Sequence, residues 1–225
     1  MTRTNRFYGT SIVTGALCLI VTGMFHPNAG RALESTESLR AFLWTNTTVH
    51  SFAIFGVWLS LLGLVGLSKE LNLTRPASVA ALSAYLIGAV LVCFAATFDG
   101  LVIPALLRRV QQGDELQKVS TLPLIGFATL VASSLTSVYV ATVSLAMALW
   151  SALLHKTGEA RVLAWSGAAI ALLGAVGLIS GALRLDRHGL LAVVLVQGAW
   201  FIAAGVWLAR RADKSSSQNT PTERM

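Results

Sequence analysis

Charged side chains are scarce in this 225-residue chain, where Asp, Glu, Lys and Arg together make up only 12% of the residues. An ordinary soluble domain carries about 25%. Hydrophobic residues make up 55%, and a globule of this size has too little interior to hide that much apolar surface. The composition therefore excludes a soluble enzyme and a disordered protein, and it indicates a chain that lies in lipid.

Cysteine is nearly absent as well, since the chain has only Cys18 and Cys93, both inside apolar runs. Such a pair excludes a disulfide-stapled secreted module, and we expect two buried thiols. The sequence also lacks CxxCH, HExxH, GxSxG and a nucleotide-binding loop. These absences exclude c-type haem attachment and ATPase activity for this chain, and they leave no motif that identifies a reaction.

Six long apolar stretches are the main feature that is present. A transmembrane helix needs about 20 mostly apolar residues to cross ~30 Å of hydrocarbon, and each stretch qualifies. We therefore predict an all-α fold, a polytopic bundle of six transmembrane helices within residues 1–211. The spans run approximately over residues 8–25, 49–67, 79–98, 124–153, 163–183 and 189–208. Residues 212–225 are polar and are predicted to form a disordered cytoplasmic tail.

The distribution of Lys and Arg predicts the orientation. With the N-terminus inside, the inner segments hold ten of the 17 basic residues and the outer segments hold seven, as the positive-inside rule favours. The predicted location is thus the bacterial inner (plasma) membrane, multi-pass, with both termini cytoplasmic. The basic residues lie at the ends of apolar runs, so we expect no nucleic-acid partner. The expected partners are the lipid bilayer and either other membrane subunits or further copies of the chain.

Several connections carry predictions of their own. Pro27 should end the first helix, because proline disfavours the α conformation of the residue before it. Residues 33–44 have apolar and polar sides and predict a short helix on the outer interface. The third and fourth spans look longer than the bilayer and should tilt or project outward. Glycines at helical spacing in the last two spans predict that these two pack tightly against each other.

The fourth span has an unusual stripe of hydroxyl side chains on one helical face. They are Thr129, Ser133, Thr136, Ser137, Ser144 and Ser151. This face should look into the bundle, where the simpler interpretation is close packing with hydroxyls bonded to their own helix. A ligand pathway along the stripe is the alternative, with Gln197 of the sixth span as a polar neighbour.

Three histidines and one carboxylate lie at predicted outer ends of spans: His26, His50, His188 and Asp99. Imidazole and carboxylate groups can bind a divalent metal or handle protons, and His26 with His50 could hold a haem b. An ordinary interfacial role is the simpler interpretation, because histidine tolerates a membrane interface and no metal-binding spacing is present.

Taken together, these patterns predict a non-catalytic membrane protein that needs no cofactor. It would bind or conduct a small neutral or lipophilic molecule, or act as a subunit of a complex. The six stretches hold no Asp, Glu, Lys or Arg at membrane depth, unlike proton-coupled pumps. The alternative is a membrane-embedded redox or hydrolytic enzyme, dependent on haem or a divalent metal, that uses the outer histidines and Asp99.

Overall fold

The computed structural model describes residues 2–27, 34–185 and 187–217, although not the side chains of residues 2, 3, 187 and 212–217. The described residues are helical apart from short connections and contain no strand. The helices are α1 (Thr2–Phe25), α2 (Thr36–Glu70), α3 (Pro76–Thr97), α4 (Ile103–Gln112), α5 (Glu115–Thr157), α6 (Arg161–Ile179) and α7 (Arg187–Ser217). A π-helical segment, Phe98–Val102, joins α3 and α4 into one rod.

Six of these rods are long and apolar enough to cross a membrane, which confirms the predicted all-helical fold and the number of candidate spans. The rod from Pro76 to Gln112 has 37 residues, and α5 has 43, or about 64 Å at 1.5 Å per residue. Both exceed ~30 Å of hydrocarbon, as the sequence predicts. The end of α7, residues 212–217, continues the helix into the predicted tail, and residues 218–225 lie outside the described part.

Local sequence explains where several helices begin and end. The helix α1 ends at Phe25, just before the Pro27 that predicted its end. The side chains of Ser35 and Asp114 cap α2 and α5 by accepting from the backbone N–H groups of Ser38 and Gln117. Gly158 ends α5 with φ of +71°, a left-handed conformation that glycine adopts without steric cost.

The helices form a ring in the order α7, α1, α2, α3, α5, α6. Backbones approach closely where glycines meet. A Cβ on Gly205 would lie 2.7 Å from the Gly9 carbonyl oxygen, and a Cβ on Gly63 would meet the carbonyl of Tyr8 at 2.6 Å. Small residues at these positions thus allow α1 to pack in van der Waals contact with both α7 and α2.

The predicted pairing of the last two spans is wrong, because α7 packs mainly against α1 and only lightly against α6. Gly198 and Gly205 of α7 face side chains of α1. Gly174 of α6 instead faces Ser144 of α5, where an added Cβ would lie 2.6 Å from the Ser144 hydroxyl. Gly181 lies beyond the end of α6, so the GxxxG pattern does not continue on that helix.

The predicted interfacial helix is also wrong, because residues 36–44 form the first turns of α2 rather than a separate element. No glycine or proline lies between Trp44 and Val49 to interrupt the helix. The apolar side of this segment was identified correctly. Leu39, Phe42 and Leu43 are buried in a small cluster with Ile103, Leu107 and Ala128.

The interior of the ring is filled by large aromatic side chains. Tyr85 and Trp150 are fully buried, with ring centroids 6.1 Å apart, and Phe201 lies 5.8 Å from Tyr85. Cys18 and Cys93 are both free thiols.

The two ends of the bundle hold different charged groups, and we call them the Arg211 end and the His26 end. At the Arg211 end, Arg211 pairs with Glu70 at 3.2 Å and with Glu159 at 3.1 Å, and Asn5 donates to Glu70 at 2.9 Å. The His26 end holds the end of α1, the first half of α2, the π-helical segment and α4. The candidate site lies at the His26 end.

Candidate metal centre

Three side chains from separate segments converge at the His26 end. The Nε2 atom of His26 lies 3.0 Å from Oδ2 of Asp99, and the Nε2 atom of His50 lies 3.1 Å from the same oxygen. One ligand atom from each residue lies within 4.8 Å of the others. We call these three residues the His–Asp cluster.

Two hydrogen bonds fix the position of His26 just beyond α1. The Thr22 hydroxyl donates to the carbonyl of Val49 at 3.2 Å, which holds the last turn of α1 against α2. The Nδ1 atom of His26 lies 3.2 Å from the carbonyl oxygen of Pro27. The imidazole therefore turns its Nε2 toward Asp99.

The position of Asp99 depends on the π-helical segment. The N–H of Ile103 donates to the carbonyl of Phe98, five residues earlier, rather than to Asp99 as an α-helix would require. Pro104 has no N–H, so it cannot donate to the carbonyl of Gly100 either. The carbonyls of Asp99 and Gly100 therefore lack the donor that a regular α-helix would supply four residues later. Side chains of α2 can donate to them instead.

Two side chains of α2 donate hydrogen bonds to these carbonyls. Asn46 donates from Nδ2 to the Asp99 carbonyl at 2.6 Å, and Thr47 donates from its hydroxyl to the Gly100 carbonyl at 3.0 Å. Both hydrogen bonds tie the π-helical segment to the same turn of α2 that precedes His50. The helix that supplies one imidazole thereby also positions the carboxylate.

Gly100 permits the close approach of the two segments. A Cβ at this position would lie 2.5 Å from Cβ and 2.9 Å from Cγ of His50. Real Cβ atoms do not approach other atoms so closely, so any larger residue would force His50 and the π-helical segment apart. The absence of a side chain at Gly100 thus allows His50 and Asp99 to lie as close together as they do.

The hydrogen-bond partners of the two imidazoles in the His–Asp cluster leave both Nε2 atoms facing Asp99. The Nδ1 atom of His50 lies 2.7 Å from the Asn46 carbonyl, and Nδ1 of His26 also faces a carbonyl. A carbonyl can only accept, so a ring hydrogen on each Nδ1 would satisfy these contacts, and in that tautomer each ring would present an Nε2 lone pair to Asp99. Two imidazoles and one carboxylate then point electron pairs at one place, which a metal ion would satisfy.

Alternatively, protonation of both rings would place a hydrogen on each Nε2, from which each ring could donate to Asp99. It would, however, place two positive imidazolium rings beside a single carboxylate, with ring centroids 5.1 Å apart. A bound dication satisfies the same three groups without that repulsion. The pattern of Nδ1 donation to a carbonyl with Nε2 free is also the usual arrangement of metal-binding histidines.

The cluster is accessible from one side. The His50 side chain is only 8% exposed, whereas those of His26 and Asp99 are 25% and 32% exposed. The protein therefore surrounds one side of the site and leaves room for water or a small ligand on the other. Structural metal sites are usually closed by a fourth protein ligand, so this arrangement favours an open site.

No protein-family model, curated protein or solved structure matches this chain.

The remaining histidine of the predicted outer set is placed elsewhere. His188 lies at the start of α7, is exposed, and is outside the group whose ligand atoms lie within 4.8 Å. The structure thus brings together His26, His50 and Asp99 and separates His188 from them. This separation makes His188 a useful control.

The hydroxyl stripe of α5 divides into two parts. Four of its hydroxyls donate to carbonyls of their own helix four residues earlier: Thr129, Ser133, Thr136 and Ser137. Of these, Thr129 and Ser133 are exposed. Ser144 and Ser151 are buried against glycines of α6. The stripe therefore faces the interior only in the half nearer the Arg211 end.

Gln197 is 5% exposed and lies in the interior of α7. Among the described residues, no hydrogen bond joins its amide to the hydroxyl stripe. It lies away from the His–Asp cluster on a helix that contributes none of the three ligands.

Sequence reasoning missed the residues that support the cluster: Asn46, Thr47 and Gly100. One sequence signal could have located them. Pro104 lies four residues after Gly100 inside an apolar run, and such a proline frees a carbonyl that needs a donor from another helix.

Proposed function

We propose that this chain is an integral membrane protein whose His–Asp cluster binds one divalent transition-metal ion. The observation that carries the proposal is the convergence of both Nε2 atoms on Asp99 Oδ2, with each Nδ1 held by a backbone carbonyl. The donor set of two imidazoles and one carboxylate suits Zn²⁺ or Fe²⁺. The membrane assignment is supported by the six long apolar helices.

The open side of the cluster supports chemistry at the metal rather than a structural role. Three protein ligands leave at least one coordination position for water or a substrate, as in catalytic zinc sites and in non-haem iron sites. Metal-dependent hydrolysis or oxidation at the His26 end is therefore the function that the geometry favours. A single ion is favoured over haem b, because both Nε2 atoms point at the same carboxylate oxygen rather than toward opposite faces of a macrocycle.

This proposal reverses the order in which the sequence alone ranked two hypotheses. The sequence favoured a non-catalytic protein that binds or conducts a small molecule without a cofactor. Four of the stripe hydroxyls are already bonded within α5, which weakens the argument for a polar pathway along it. Association with other membrane subunits or further copies of the chain remains a prediction that fits either function.

Metal binding to the purified full-length protein tests the proposal. Wild-type protein in detergent should bind about one equivalent of Zn²⁺ or Fe²⁺, measured by elemental analysis and calorimetry. His50→Ala and Asp99→Ala should each weaken binding by more than about 100-fold, beyond the roughly 10–100-fold cost of losing an outer-shell partner. Acidification should also weaken binding, because the metal must displace protons from its ligands.

His188→Ala is the matched control, because it removes a histidine from the same end of the bundle without touching the cluster. It should bind metal as the wild-type protein does. Equal metal binding by wild-type and His50→Ala protein would contradict the proposal. A Soret band that disappears in His50→Ala would replace the single ion with a haem.

We further propose that the chain lies in a bacterial inner membrane with the His26 end outside and both termini in the cytoplasm. The excess of basic residues in the segments at the Arg211 end supports this orientation. A thiol reagent that cannot cross the membrane should label Gln112→Cys in intact cells, and Ser216→Cys only after the membrane is opened. Variants with Cys18 and Cys93 replaced by Ala remove the background. Labelling in the reverse order would place the cluster on the cytoplasmic side.

A further inference from the structure

A second site lies at the His26 end, in a groove between the first turns of α2 and the helix α4. The groove has a volume of about 600 Å³, within the range of sites that hold small molecules. Arg40 of α2 and Arg108 of α4 line it from opposite walls. We call it the Arg groove.

The two arginines of the Arg groove carry unbalanced charge. Among the residues that the structure describes, no acidic side chain lines the groove, and neither Arg40 nor Arg108 forms an ion pair. Arginines at the Arg211 end behave differently, since Arg211 pairs with two glutamates. Two guanidinium groups that share a concave surface without a carboxylate attract an anion, and a planar guanidinium binds phosphate with two hydrogen bonds.

The other walls of the groove suit a ligand with both polar and apolar parts. Leu39 and Leu43 are buried at its base, and the ring of Trp44 lines it while remaining 72% exposed. The hydroxyl of Thr48 adds a polar group on the same side of α2, whereas the Thr47 hydroxyl donates to the Gly100 carbonyl. A simple inorganic ion would use only the arginines, whereas a phosphate with an organic substituent could contact the whole groove.

The exposed face of α2 continues from the groove along the apolar part of the helix. At 100° per residue, Arg40, Trp44, Thr48 and Phe55 lie within an arc of about 80°. Trp44 and Phe55 are both more than half exposed, as lipid-facing side chains are. The cationic groove thus opens onto the same face that would contact acyl chains.

We propose that the Arg groove binds a phosphate group, with Arg40 and Arg108 as its ligands. The phosphate can come from the headgroup of an anionic lipid or from a soluble phosphate compound, and the exposed aromatic face of α2 favours the lipid. This site is separate from the His–Asp cluster, because the two share no residue. It therefore stands whether or not the cluster binds a metal.

Lipid and phosphate binding to the full-length protein tests the proposal, with a chelator present so that no metal contributes. Nanodiscs of phosphatidylcholine with and without phosphatidylglycerol give the lipid arm, and retained lipid is counted by native mass spectrometry. Inorganic phosphate and glycerol phosphate give the soluble arm. The double variant Arg40→Gln with Arg108→Gln should lose about tenfold or more of the affinity in whichever arm binds.

Arg109→Gln is the matched control, since Arg109 is an exposed arginine of α4 that does not line the groove. It should bind as the wild-type protein does, while circular dichroism confirms that all variants keep their helices. Loss confined to phosphatidylglycerol identifies a lipid site, and loss of inorganic or glycerol phosphate identifies a soluble ligand. Absence of anion binding in both arms, or an equal loss in Arg109→Gln, would overturn the proposal.

Discussion

Gly100→Ala should weaken metal binding by the His–Asp cluster about 10–100-fold, the range seen when a group that positions metal ligands is altered. The new Cβ would lie 2.5 Å from Cβ of His50, so one of the two segments must move. Movement of His50 carries its Nε2 away from Asp99, and it also strains the hydrogen bonds from Asn46 and Thr47 to the π-helical segment. Calorimetric titration with Zn²⁺ measures the loss.

Gly126→Ala provides the control for this variant. Gly126 lies in α5, and an added Cβ there would meet no atom within 4 Å. The same chemical change should leave metal affinity at the wild-type value, and it should slightly favour the helix because alanine has the higher helix propensity. If both alanine variants bind Zn²⁺ equally well, then close packing at Gly100 does not position His50 for metal binding.

Trp150→Ala should lower the free energy of unfolding by about 3–5 kcal/mol, as removal of a fully buried Trp side chain does in other cores. Trp150 has no exposed surface, its ring lies 6.1 Å from that of Tyr85, and its Nε1 donates to the Ser68 hydroxyl at 3.0 Å. Truncation leaves a cavity in the centre of the ring of helices and removes a buried hydrogen bond between α5 and α2. Circular dichroism during titration with sodium dodecyl sulfate measures the change.

Trp58→Ala is the matched truncation at the surface. Trp58 is 63% exposed on α2, so lipid or detergent can occupy the space that its ring leaves. This variant should change the free energy of unfolding by much less than Trp150→Ala. Similar losses in the two variants would show that interior packing does not dominate the stability of the bundle.

The sequence predicts the helices well because a single physical requirement determines them. Each span must be long, apolar and free of internal charge, and these properties can be counted along the chain. The end of α1 before Pro27 and the extra length of α5 follow from the same kind of local evidence. The break expected near residue 44 is wrong because polar side chains there, Asn46 and Thr47, find partners on another helix.

The candidate site is harder to predict because it depends on which helices are neighbours. His26, His50 and Asp99 are marked by their residue types, but the sequence gives His188 equal standing with them. The π-helical register and the neighbours of α2 determine that Asp99 faces two imidazoles. Glycine spacing alone likewise misassigned the partner of α7, because many helices carry small residues and any two such faces could pack.

The contact between α1 and α7 makes the bundle a closed circle in which the first and last helices are neighbours. The two run antiparallel, with Gly9 against Gly205 and Gly23 beside Val194, so the start of α1 and the end of α7 lie at the same end. The turn between α5 and α6 also lies there, where Glu159 meets Arg211. A linker that joined the end of α7 to the start of α1, with the chain opened at Gly158, would keep every helix beside its present neighbours.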